Sequence, residues 1–183
     1  MKKKEKGRCV LREMSDFIPL LGRLEEEIKN FSRWATPGQL SFGGYLAVWE
    51  RSPRVPDVEW AKRAPLIVVR VGTVPPEKTM RYFALCQEKA TRLLSLTEEG
   101  HVSSWQSREP DQGRYGGAIV TSDFVFGFSG LTEEGDEGVL VRACFDVGML
   151  SLDSVQTIAS TSCNPFLRDF HVSFTGSQEL LEF

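Results

Sequence analysis

The chain reads as an α/β domain of the α+β kind, a largely antiparallel central sheet with helices packed on its faces, and three observations lead there. Apolar residues switch between a helical and a two-residue period in the order helix, strand, strand, helix, strand, strand, helix. Two strand-rich runs are parted only by Ser122-Asp123, and a well-signalled helix follows them after one tight turn. A doubly wound parallel sheet needs strands that alternate with helices throughout, and that alternation is absent.

The first helix spans Asp16 to Phe31, where Phe17, Leu20, Leu21, Leu24, Ile28 and Phe31 recur at spacings of three and four, with Pro19 suited to its first turn. Thr36-Pro37-Gly38 signals a turn, and Tyr45-Leu46-Ala47-Val48-Trp49 reads as a short strand. Pro53 and Pro56 close it off. From Pro53 to Pro65 the chain is charged and punctuated by proline, a surface connection that Trp60 would anchor. Leu66-Ile67-Val68-Val69-Arg70-Val71, nearly continuous in β-branched residues and ended by Gly72, has the pattern of a buried strand in mid-sheet.

Pro75-Pro76 then opens a second helix with Met80, Phe83, Ala84, Gln87, Ala90, Thr91 and Leu94 along one stripe and Lys and Arg on the other side, ending near Glu99-Gly100. Val102 to Ser107 is a further short strand or an extended linker, and Glu109-Pro110-Asp111-Gln112-Gly113 is a loop.

Gly117-Ala118-Ile119-Val120-Thr121 and Phe124-Val125-Phe126-Gly127-Phe128-Ser129 form the hairpin. Phe124, Phe126 and Phe128 share one face by the strand period, so that face must be covered, and the helix that follows is the expected cover. Thr132 is its N-cap. Glu133, Glu134, Asp136 and Glu137 place negative charge at the positive end of the helix dipole, and Leu140, Ala143, Val147 and Leu150 recur at helical spacing. Beyond Leu150 the pattern weakens. Asp153 to Ala159 suggests a short helical turn, Ser160-Thr161-Ser162 and Asn164-Pro165 are breakers, and a tail that wraps the domain or is partly disordered is expected. The organisation is thus a basic, disordered tail over 1–14, a domain over 15–150 and a C-terminal extension over 151–183.

A composition of 41% hydrophobic and 26% charged residues over 183 residues suits one globular domain with a real core. The net charge of −3 supplies no field favouring nucleic acid or a membrane surface, although Lys2, Lys3, Lys4, Lys6 and Arg8 crowd the start. Asp16, Pro19, Arg23 and three glutamates interrupt Met14 to Ile28, which therefore fits neither a secretory signal nor a membrane span, and the cytoplasm is the expected compartment. Cys9, Cys86, Cys144 and Cys163 form no C-x-x-C, which argues against a zinc ribbon or a redox pair. Cys86 and Cys144 fall inside predicted helices, where cysteine packs as a small hydrophobe.

Tyr115-Gly116-Gly117-Ala118-Ile119-Val120, Val125-Phe126-Gly127-Phe128-Ser129-Gly130-Leu131 and Glu134-Gly135-Asp136-Glu137 together resemble the GlcG/HbpS-like family of small profilin-like α/β proteins. The family pattern is a Gly-Gly loop, a hairpin ending near Ser-Gly and an acidic residue near the start of the last helix. The helix from Glu77 to Ser95, with Lys89 inside it, sits where the family has a lysine-bearing helix, so the resemblance covers roughly Asp16 to Leu150. It departs in the Phe-rich hairpin and in lacking a histidine at Asp136-Glu137-Gly138. The resemblance implies a profilin-like fold, a homo-oligomer and a small-molecule ligand, which in some members is haem.

The residues themselves carry little catalytic chemistry. No G-x-S-x-G elbow, P-loop, H-E-x-x-H or G-x-G-x-x-G is present, and neither histidine, His101 or His171, lies in the family-like motifs. Tyr115 beside Gly116-Gly117 is a candidate haem ligand or pocket wall, against a plain packing role, and Arg114 could meet an acidic ligand. Ser129-Gly130 before a helix could cradle an anion, but the carboxylates that follow favour a tight strand-to-helix turn. The candidate ligand-binding set is Arg114, Tyr115, Gly116, Gly117, Ser129 and Gly130, with no catalytic or metal-ligating residue assigned. The expected function is a non-catalytic small-ligand-binding module, with haem as the cofactor the resemblance implies. The alternative is a structural or regulatory interaction module that oligomerises and binds no cofactor.

Overall fold

In a computed structural model, which describes residues 14–34, 42–51 and 64–168, helix α1 (Ile18–Trp34) follows a 3-10 turn at Met14–Phe17 and leads to strands β1 (Phe42–Glu50) and β2 (Ile67–Thr73). A turn at Pro76–Lys78 enters α2 (Thr79–Ser95), the hairpin is β3 (Ala118–Val120) and β4 (Phe124–Ser129), and α3 (Glu133–Asp146) and α4 (Leu152–Ser162) follow. The fold is mixed α/β: the four strands pair antiparallel in the order β2-β1-β4-β3, with helices against the sheet. The expected tail over 1–13, Cys9, the Thr36-Pro37-Gly38 turn, the connection through 52–63 with Trp60, and His171 lie outside the described residues.

Strand alternation divides the core in two. On one face Phe124, Phe126 and Phe128 join Leu46 and Val48 of β1 and pack against Phe17, Leu20, Leu24 and Ile28 before and along α1, and against Val139, Leu140 and Ala143 of α3. The helix after the hairpin therefore shares its cover with α1, and the Phe17 ring meets Phe124 edge-on at 5.3 Å. On the other face Ala47, Trp49, Ala118, Val120 and Val125 pack against Cys86, Ala90, Leu93 and Leu94 of α2. Gly127 lets α2 come down onto β4, because a Cβ there would lie 2.3 Å from the Cys86 carbonyl oxygen. Past Leu150, Val155 and Ile158 of α4 and Leu167 are buried in the first core cluster.

Three expectations need correction. The Leu66–Val71 run is not mid-sheet: β1 and β4 hold the centre and β2 is an edge strand, half-buried along much of its length. A β-branched run marks a strand strongly but does not say which neighbours it has. The buried stripe of α2 is Cys86, Lys89, Ala90, Leu93 and Leu94, whereas Met80 is 74% and Phe83 37% exposed. The inward face is set by the small residues that meet Gly127 and by one lysine, which a hydrophobicity pattern assigns to solvent. Finally, the segment from Val102 to Ser107 is neither strand nor linker: Ser103 bridges to Ile119, and a 3-10 turn at Ser104–Ser107 follows, closed by a capping box between Ser103 and Gln106. No helix among the described residues is long and apolar enough to cross a membrane.

Candidate functional site

The charged residues of α2 and α3 converge beneath the start of the hairpin. Lys89 reaches Asp136 at 2.7 Å and the Phe128 carbonyl oxygen at 3.1 Å, and both side chains are almost wholly buried. Asp136 also accepts from the backbone N–H of Gly130 at 3.0 Å and of Leu131 at 2.8 Å. Burial pushes its carboxyl up to about 6, against the pull of Lys89 and these hydrogen bonds. Gly117 makes the approach possible. Its φ of +107° is open to glycine, and a Cβ there would lie 2.6 Å from the Asp136 Cβ and 2.9 Å from Lys89 Nζ.

The neighbouring Glu137 turns the other way, to Ser103 Oγ and to Asn164 Nδ2 at 3.1 Å, and ties the 3-10 turn to the chain after α4. Burial raises its carboxyl, opposed by hydrogen bonds from Ser103, Ser162 and Asn164. Glu133 takes Arg108 in a two-pronged pair at 2.7 and 2.9 Å and the Gly116 N–H at 2.7 Å. Burial pushes Glu133 upward, but Arg108 and that N–H outweigh it and leave the carboxyl below its ordinary value. Arg108 lies over the Trp105 ring at 5.1 Å, and a Cβ on Gly116 would be 2.6 Å from that indole. Arg92 fixes the loop by donating to the carbonyls of Ser104, Ser107 and Tyr115.

Above this frame lies a cleft of about 360 Å³. Lys78, Arg81, Tyr82, Leu85 and Lys89 line it from the α2 side, and Tyr115, Ser129, Leu131, Thr132, Glu133, Glu134 and Asp136 from the other. Lys89 uses two of its three N–H donors within the protein, and the hydroxyl of Ser129, which opens onto the cleft from a largely buried residue, makes no hydrogen bond among the described residues. A second hollow, of about 170 Å³ between α1 and α3, is walled by Phe31, Val139 and Phe166, and its charged members Glu27 and Arg142 face each other at 3.8 Å.

Of the residues singled out from sequence, Tyr115 and Ser129 line the cleft. Gly116, Gly117 and Gly130 stand behind it as backbone that admits Trp105, the Lys89–Asp136 pair and Gly43 respectively. Arg114 is exposed, pairs with Glu109 at 3.2 Å and is not among the lining residues. The acidic run is not simply a set of solvated dipole stabilisers, since Asp136 and Glu137 are buried and committed to partners. Gly135 and Gly138 were a usable signal for this. A Cβ on Gly135 would lie 2.5 Å from the Phe31 ring and one on Gly138 3.2 Å from Phe166, so that turn of α3 is packed on all sides. No protein-family model, curated protein or solved structure matches this chain significantly.

Proposed function

We propose that the protein is a GlcG/HbpS-like small-ligand-binding module that holds its ligand in the cleft between α2 and the start of α3. The observation that carries this reading is the hydrogen-bonding capacity left at the cleft by the spare N–H of Lys89 and by the Ser129 hydroxyl, two polar groups on otherwise buried residues that a ligand could engage. Binding is favoured over catalysis by the commitments of the acids, Asp136 to Lys89 and Glu133 to Arg108, and by the lack of histidine or cysteine among the lining residues.

The walls suit haem poorly. Tyr82 and Tyr115 each offer a phenolic oxygen that could ligate iron, but among the described residues Leu85 and Leu131 are the sole aliphatic ones in the lining, against Lys78, Arg81, Lys89, Glu133, Glu134 and Asp136. A macrocycle needs broad apolar walls, so a small polar ligand is the better occupant. A haemin absorbance titration beside Tyr115→Phe tests this: a flat response is expected, and a saturable Soret band lost in the variant would restore haem. A second reading, self-association without a ligand, is favoured by the exposed Met80 and the partly exposed Phe83 in the first turns of α2. Amide chemical-shift mapping with a fragment set separates the two. Shifts clustered at Tyr115, Ser129 and Leu131 support the cleft, and concentration-dependent shifts confined to Met80 and Phe83 support self-association.

A further inference from the structure

We infer that the ligand is a compact organic oxyanion whose carboxylate or phosphate is met by Lys78 and Arg81 and whose neutral oxygen reaches Lys89 Nζ and Ser129 Oγ. This rests on the small-ligand reading of the cleft and adds the chemical class. The described lining residues hold three cations and three carboxylates, and Arg108, from outside the lining, tips the balance by one positive charge. Lys89 is balanced by Asp136 and Glu133 by Arg108, which leaves Lys78 and Arg81, two cations without an ion pair among the described residues, against the single carboxylate of Glu134. The arginine can grip an oxyanion with two parallel N–H groups, and the lysine adds a point charge.

The buried groups give the other end of the ligand its character. Asp136 already neutralises Lys89, so the spare N–H of Lys89 calls for a neutral acceptor rather than a second anion. Ser129, 3% exposed, can donate to the same oxygen or accept from a ligand hydroxyl. The rings of Tyr82 and Tyr115 with Leu85 and Leu131 supply the apolar wall between the two ends. A cleft of about 360 Å³ is of the size that takes a small metabolite.

The test is a titration of the full chain with benzoate, phenyl phosphate, benzamide and benzylamine, read by amide chemical shifts. Benzoate and phenyl phosphate separate carboxylate from phosphate as the source of the charge. At least one is expected to shift Tyr115, Ser129 and Leu131 in a saturable way and to bind about tenfold or more tighter than benzamide, the equivalent of one charge-assisted hydrogen bond. Arg81→Gln, a change at an exposed side chain, is expected to weaken the anion by a similar factor without altering thermal stability, and raising salt should weaken it further. Benzamide or benzylamine binding at the same residues as tightly as the anions would overturn the oxyanion assignment and leave the small-ligand reading standing. Cleft amides that respond to none of the four would overturn both.

Discussion

Replacing Lys89 by methionine keeps most of the volume of the side chain and removes its charge, leaving the Asp136 carboxylate buried with only the N–H groups of Gly130 and Leu131. Breaking a buried pair from one side costs about 3–5 kcal/mol, because the remaining charge stays desolvated. For a chain of this size each kcal/mol lowers Tm by roughly 2–4 °C, so a drop on the order of 6–20 °C is expected near pH 8. The loss should shrink in acid. Burial already pushes Asp136 up to about 6, and without the pull of Lys89 it titrates higher still, so the folded variant takes up a proton that neutralises the stranded charge. The sign follows from linkage: a carboxyl with a raised folded pKa destabilises progressively as pH climbs from about 4, its unfolded range, through the folded value. Adding Asp136→Asn to Lys89→Met removes the second charge while keeping an oxygen for Gly130 and Leu131, and should recover much of the loss at pH 8. Equilibrium urea unfolding of wild type, single and double variants at pH 5 and pH 8 measures all of this. A single variant within about 0.5 kcal/mol of wild type, the range of an ordinary surface change, would refute the reasoning, as would a double variant no more stable than the single.

Phe126→Asp should abolish the soluble fold, because Phe126 is fully buried and a stranded charge there costs on the order of 3–5 kcal/mol or more; soluble, cooperatively unfolding protein would contradict the packing described for β4. Glu137 has a raised carboxyl in the folded state, so its contribution to stability falls as pH rises from the ordinary carboxylate range through that raised value. Glu137→Gln should therefore gain on wild type as pH rises, and a stability difference that does not change between pH 4 and pH 8 would count against it. Burial pushes the Cys86 thiol up to about 12 and raises that of Cys144, while Cys163 is exposed. In a Cys9→Ser variant, thiol titration should find one fast group in the native protein and three after unfolding, and a fast Cys86 would sink the inert-core reading.

Much of the fold was legible because the strongest signals were local. Thr132 caps α3 by accepting from the Gly135 N–H, and the hairpin pairs Val120 with Val125 where Ser122-Asp123 parts the strands. What stayed hidden depended on neighbours distant in sequence. The place of β2 at the sheet edge follows from β1 pairing with both β2 and β4, which no pattern within the β2 run encodes. Lys89 was invisible as a buried residue because its partner lies 47 positions away, and long basic side chains on helices ordinarily face water. Tyr115 and Ser129 were legible as cleft residues, whereas Lys78, Arg81 and Tyr82 were not, since they belong to the surface of α2 and of the turn that enters it and become a wall only when α3 is packed opposite.

The motifs behind the resemblance meet in space, and their roles there separate structure from recognition. Gly117 clears room for the Lys89–Asp136 pair, Gly130 offers its N–H to Asp136, and Gly116 admits Trp105. Each of these glycines would place a Cβ within 3 Å of a neighbour, so selection for packing alone would hold them regardless of the ligand. The side chains that could choose a ligand, Lys78, Arg81, Tyr82 and Tyr115, lie on the cleft walls and, apart from Tyr115, outside those motifs. Two proteins sharing the motifs could therefore share the buried frame and differ in what, if anything, they bind, so on the proposed ligand-binding reading selectivity is to be sought in Lys78, the first turn of α2 and Tyr115 rather than in the glycines.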